Sequence, residues 1–150
     1  PMPVSEGLLT AAREARPKAE GMVNVWSHGA RGAIGGNTVP GMWMMGSSLR
    51  LMERAAPEVL FNDLNACNAY ARGMEAAAAA QCPALLVVGS RDLMTSPRGA
   101  PQLAAAMKDA RIATIEGSGH ALMAEYPDAV LDALRGFIAR AHCQGSPDPL

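Results

Sequence analysis

The stretch Pro83-Ala84-Leu85-Leu86-Val87-Val88-Gly89-Ser90-Arg91-Asp92 decides how this chain folds. Its apolar residues are consecutive, bounded by proline and glycine, and too few for a helix, so 84–88 reads as a strand buried on both faces. The Gly89-Ser90-Arg91 turn then sets Asp92 just past the strand's C-terminal end. A second β-prone run, Arg111-Ile112-Ala113-Thr114-Ile115, leads through the tight turn Gly117-Ser118-Gly119 to His120. Between them, about 98–108 reads as a helix. About 128–141 reads as another, with Val130, Leu131, Leu134, Phe137 and Ile138 on one face and Pro127 and Asp128 suited to its first turn. A βαβα order implies parallel strands, and open α/β sheets do their chemistry at the C-terminal ends of such strands. Asp92 and His120 are therefore the candidate catalytic residues.

The region before this stretch, residues 1–80, has a different character. Ser5 suits the N-cap of a helix carrying Leu8, Leu9, Ala12 and Ala15, and Pro17 suits the first turn of a second helix with Ala19, Met22, Val23 and Trp26. A glycine-rich loop runs from His28 to Gly41. Beyond Met42-Trp43-Met44-Met45 come a helix with Leu49, Leu51, Met52 and Ala55, and another, opened by Pro57, with Val59, Leu60, Leu64, Cys67 and Ala71. No strand is expected here. The organisation is thus an all-helical region over 1–80, an α/β region over 81–141 and a frayed tail over 142–150. A lone pair of parallel strands is marginal, and a strand apolar on both faces needs cover on both sides. Strands supplied by other residues must flank it.

Composition narrows the function classes. With 49% hydrophobic residues and a net charge of −1, the chain has the balance of an ordinary globular domain and no electrostatic footprint for nucleic acid or an anionic membrane. No apolar run approaches a membrane span, and the first residues lack the charged and apolar regions of a signal peptide. Cys67, Cys82 and Cys143 form no C-x-x-C pair. Reduced thiols in a cytoplasmic protein are the simplest reading, and no metal or organic cofactor is implied.

From Cys82 to Ile138 the chain resembles the C-terminal part of α/β-hydrolase-fold proteins. The resemblance is carried by Gly89-Ser-Arg-Asp92, Thr95-Ser-Pro97, Gly117-Ser-Gly-His120 and Glu125-Tyr-Pro-Asp128, in that order and with a helix between the acid and the histidine. In that family the triad follows the order Ser, acid, His. The resemblance implies that Asp92 and His120 are the acid and the base, and that Glu125 holds the His120 loop. It likens residues 1–80 to the lid this family inserts before its acid strand. No G-x-S-x-G elbow exists in the 150 residues. The expectation is therefore a C-terminal fragment of a serine-type hydrolase acting on carboxylic esters or related carbonyl compounds. Its nucleophile would lie on a missing N-terminal half of roughly a hundred residues, if the intact domain runs to about 200–250 residues.

Within the lid, Trp43, Met44 and Met45 are the candidate substrate-binding residues, since methionine adapts to irregular apolar ligands. His28-Gly29 follows a helix rather than a strand and reads as loop or lid, not as an oxyanion loop. The spaced glycines Gly29, Gly32, Gly35 and Gly36 lack the Lys-Ser/Thr of a phosphate loop and read as a lid hinge. Ser47 and Ser48 lack an elbow glycine after them. The expected partners are a small acyl or carbonyl substrate and the remaining half of the fold. The rival reading is a non-catalytic assembly module that pairs with a second copy through a bare strand edge and an apolar lid face.

Overall fold

The computed structural model describes residues 2–33, 35–38 and 41–145. Helices α1 (Glu6–Glu14), α2 (Arg16–Ser27), α3 (Met44–Glu53), α4 (Val59–Ala69) and α5 (Gly73–Ala79) come first. Strand β1 (Ala84–Gly89), α6 (Ala100–Ala106), β2 (Ala110–Ile115), α7 (Leu122–Glu125) and α8 (Pro127–Gly145) follow. The strands are parallel and form a 2-stranded sheet.

Local chemistry sets these boundaries. Ser5 caps α1 by accepting from the Leu8 amide at 3.3 Å, and Pro17 lies in the first turn of α2, where no amide is needed. The helical region is centred on Leu8, Ala11, Ala12 and Ala19, with Trp26, Phe61 and Leu64 packed against them. Small alanines let α1 and α2 approach closely. The Arg16 guanidinium is shared between Glu20 (2.7 Å) and the carbonyls of Met52 (2.6 Å) and Ala55 (3.0 Å), which ties α2 to the end of α3.

Several expected boundaries move. Helix α4 begins at Val59, two residues after Pro57, because a turn closed by Val59 N to Ala56 O (3.1 Å) intervenes; Ala71 lies beyond its end. The helix expected over 98–108 is a 3₁₀ turn, Pro97–Gly99, followed by the short α6, which stops where Met107 turns extended. Short α7 carried no periodicity of its own. Helix α8 reaches Gly145 rather than ending near 141, since no breaker precedes Pro147. Of the tail expected over 142–150, residues 142–145 are therefore helical and 146–150 lie outside the described residues.

The apolar face expected on α8 is only partly used. Val130 is buried and Phe137 half-buried, while Leu131, Leu134 and Ile138 form an exposed stripe at i, i+3 and i+7. Among the described residues, β1 has one strand neighbour, β2. Its other border opens onto a 650 Å³ cavity lined by Leu86, Val87 and Val88 together with Leu103. Successive strand side chains point to opposite faces, so consecutive residues can share one cavity only along the strand's edge. That border is bare backbone of the kind a further strand pairs with.

Candidate active site

The register of the two strands builds the site. Gly89 pairs with Ile115, so both strands end level and their following turns lie side by side. Ser90 N donates to Ile115 O (3.1 Å), Arg91 N to Ser118 O (2.8 Å) and Gly117 N to Ser90 Oγ (2.8 Å). Gly117 occupies the left-handed region (φ +79°) that glycine enters without strain. The chains meet without room for a side chain. A Cβ on Gly119 would lie 2.6 Å from Gly29 N and 2.7 Å from Ser27 O, and one on Gly89 would collide with the carbonyls of Ser118 and Gly119. Gly119→Ala is expected to cost about 1–3 kcal/mol by this overpacking. Urea unfolding checks that figure, and loss of the His120–Asp92 contact by NMR checks the displaced loop.

These turns bring Asp92 and His120 together, 28 residues apart in sequence, with Nδ1 of His120 2.8 Å from Oδ2 of Asp92. The other carboxylate oxygen, Oδ1, accepts from the amides of Met94 and Thr95, each at 2.8 Å. Three hydrogen bonds thus fix the acid's orientation. Its side chain is 7% exposed, that of His120 48%. A carboxylate only accepts, so Nδ1 carries the ring proton and the Nε2 lone pair is the acceptor. Among the described residues Nε2 has no partner, and His120 borders the 650 Å³ cavity along the open edge of β1.

Glu125 ties the histidine loop to the helical region. It is 1% exposed. One of its oxygens accepts from Gly29 N at 2.7 Å, the other from Gly119 N at 2.7 Å and Ser118 Oγ at 3.3 Å. Ala121 N donates to Ser27 O at 2.8 Å, and Arg31 donates to the Glu125 carbonyl (3.1 Å) while stacking 4.0 Å over the Tyr126 ring. The sequence offers no local signal for the Arg31 contact, which spans 94 residues. The amides that hold Asp92 were legible in principle, because Asp-x-x-Thr is a common side-chain-to-backbone turn.

The remaining candidates are placed apart from this pair. His28 is buried and bonds back to Asn24 O (2.8 Å) and to Ser48 Oγ (3.4 Å); Ser47 Oγ donates to Trp43 O. The Gly29 amide is consumed by Glu125, and those of Gly32 and Gly36 by the carbonyls of Gly29 and Ala33, so this loop does not present them to an anion. Trp43 and Met44 line a separate 340 Å³ cavity with Arg31 and Asn37, and the Met45 carbonyl accepts from Asn24 at 2.9 Å. No helix among the described residues is long and apolar enough to cross a membrane.

A helical layer set before a parallel sheet whose C-terminal turns pair an acid with a histidine is the C-terminal portion of the α/β-hydrolase fold. The sequence profile of the TAP-like proteins matches residues 63–146, and the chain belongs to that family. No curated protein matches it in sequence. Solved structures agree on the fold. An esterase from Exiguobacterium antarcticum superposes with a TM-score of 0.76 at 12% identity, over 89% of this chain and 47% of its own. A bromoperoxidase from Bacillus anthracis gives 0.75 at 16%, over 89% and 48%. A thermophilic esterase from Thermogutta terrifontis gives 0.72 at 19%, over 93% and 53%. The chain spans about half the length of these structures.

Proposed function

We propose that these residues supply the acid, the base and the lid of a carboxylic-ester hydrolase whose nucleophilic serine lies outside the 150 residues. One observation carries the reading: the 2.8 Å bond from His120 Nδ1 to a carboxylate already held by two amides, with Nε2 left as acceptor beside an open cavity. In the reaction, Nε2 takes the proton of the attacking serine hydroxyl and returns it to the leaving alkoxide. Asp92 fixes the tautomer and stabilises the imidazolium as it forms. A strand paired to the bare border of β1 belongs to the part of the fold that carries the serine. Two of the structural relatives above are esterases, which favours esters among the carbonyl substrates.

The lid contributes substrate contacts, with Trp43, Met44 and Met45 the residues assigned to that role. Trp43 is 60% exposed. Trp43→Ala is therefore expected to leave stability within about 0.5 kcal/mol while raising KM several-fold. Steady-state kinetics on p-nitrophenyl esters, with a thermal melt alongside, check both parts; an unchanged KM removes Trp43 from the site.

The bare border of β1 and the exposed stripe Leu131, Leu134 and Ile138 also suit the rival reading, a module that pairs with a second copy of itself. Sedimentation separates the two. A stable homodimer without ester turnover, even when the rest of the fold is supplied, favours assembly.

A further inference from the structure

We infer that Arg31, in the 3₁₀ turn after α2, is a positioning residue for His120: it pins the one-turn helix that follows the histidine to the helical region. This rests on the hydrolase reading above. His120 needs such support. Its side chain is 48% exposed, and among the described residues Asp92 is its one side-chain partner, so the backbone on either side of it sets its place. Downstream that backbone is α7, a helix of 4 residues, and a single turn has too few internal hydrogen bonds to hold itself. Its two ends are fastened from outside. At the start, the Ala121 amide donates to Ser27 O at 2.8 Å. At the end, Arg31 donates to the Glu125 carbonyl at 3.1 Å and lays its guanidinium 4.0 Å from the centre of the Tyr126 ring.

Tyr126 carries this contact to the turn before His120. Its amide donates to Leu122 O (2.8 Å) and closes α7, and its carbonyl accepts from Val130 N (3.1 Å) in the first turn of α8. The residue under the guanidinium is thus the joint between the two helices. Its hydroxyl lies against Gly117, where an added Cβ would come within 2.6 Å of it. Gly117 opens the turn that ends on His120. Glu125, the other residue Arg31 holds, accepts from the Gly119 amide directly before the histidine at 2.7 Å. Arg31 therefore bears on both ends of that turn. Nor is its charge spent on an ion pair. No carboxylate among the described residues pairs with it, and that of Glu125 is taken up by Gly29, Gly119 and Ser118. What remains is a planar cation over an aromatic face, aimed by one bond to a carbonyl, which suits arginine better than lysine.

Arg31 also lines the hollow beside Trp43, so the test separates positioning from substrate contact. In the protein that joins these residues to their nucleophile, Arg31→Ala is expected to lower kcat for p-nitrophenyl butyrate about tenfold with KM unchanged, unlike the raised KM expected of Trp43→Ala. Arg31→Lys keeps a cation over the ring without the planar fork and is expected to recover part of the rate. Tyr126→Leu removes the ring. Combined with Arg31→Ala it should lose less than the product of the two single losses, since both cut one link. In the same proteins the Nδ1 proton resonance of His120 is expected to shift or broaden while the helical circular dichroism is kept. Should Arg31→Ala not fold, Arg31→Lys and Tyr126→Leu carry the same comparison. A raised KM at constant kcat, multiplicative losses in the double variant, or a resonance indifferent to Arg31→Ala overturns the inference. The resonance needs no turnover, so its indifference sinks this inference alone, and the hydrolase reading falls separately on the His120 variant.

Discussion

Replacing His120 by alanine is expected to lower kcat for an activated ester by about 10³–10⁴-fold in the protein that joins these residues to their nucleophile, with KM nearly unchanged. The imidazole acts on a proton that moves only in the transition state, so its loss removes about 4–5 kcal/mol of barrier lowering and little ground-state binding. The side chain is half exposed, and removing it leaves the fold in place. Asp92→Asn makes the sharper companion. An asparagine oxygen still accepts from the Met94 and Thr95 amides, so the turn survives. Its amide nitrogen would then face Nδ1 and donate to it. That drives the ring proton onto Nε2, where the serine proton must go, and turnover falls by a comparable factor. Equal rates for wild type and Asp92→Asn would show that the 2.8 Å contact has no part in proton transfer.

Glu125→Ala carries the largest expected effect on stability. The substitution strips the acceptor from Gly29 N, Gly119 N and Ser118 Oγ, the last two in buried hydrogen bonds. Hydrogen bonds to a charged group and the cost of orphaned buried donors together place the loss at about 3 kcal/mol or more. Glutamine does not rescue it fully. One arm of the amide is a donor, and it would confront either Gly29 N–H or Gly119 N–H. Urea unfolding of the three proteins is expected to rank Glu above Gln above Ala, with the same order in the intensity of the Nδ1 proton resonance of His120. A change below about 0.5 kcal/mol, typical of a surface position, would remove Glu125 from this tethering role.

The sequence made the α/β region readable because its signals are local. Leu85 to Val88 are apolar without alternation, and Gly117-Ser118-Gly119 admits only a tight turn before His120. Asp92 and His120 could be paired in advance because each follows a strand end, and parallel strands in level register bring such ends together. Long-range geometry was not readable. The Arg31–Glu125 contact, and a cavity that unites Leu8, Leu64 and Leu93, depend on how helices separated by tens of residues pack. The face of α8 illustrates the same limit. Periodicity set Leu131, Leu134 and Ile138 on one face with Val130 and Phe137, but it cannot say which of the five the described residues leave exposed.

The most direct test compares p-nitrophenyl butyrate hydrolysis by the 150 residues alone with hydrolysis by the same residues joined, in one chain or two, to a serine-bearing portion of the fold. The account predicts only a background rate from the 150 residues, and from the joined protein a turnover that His120→Ala abolishes. Efficient turnover by the 150 residues alone that survives His120→Ala, or a joined protein indifferent to that substitution, would contradict it.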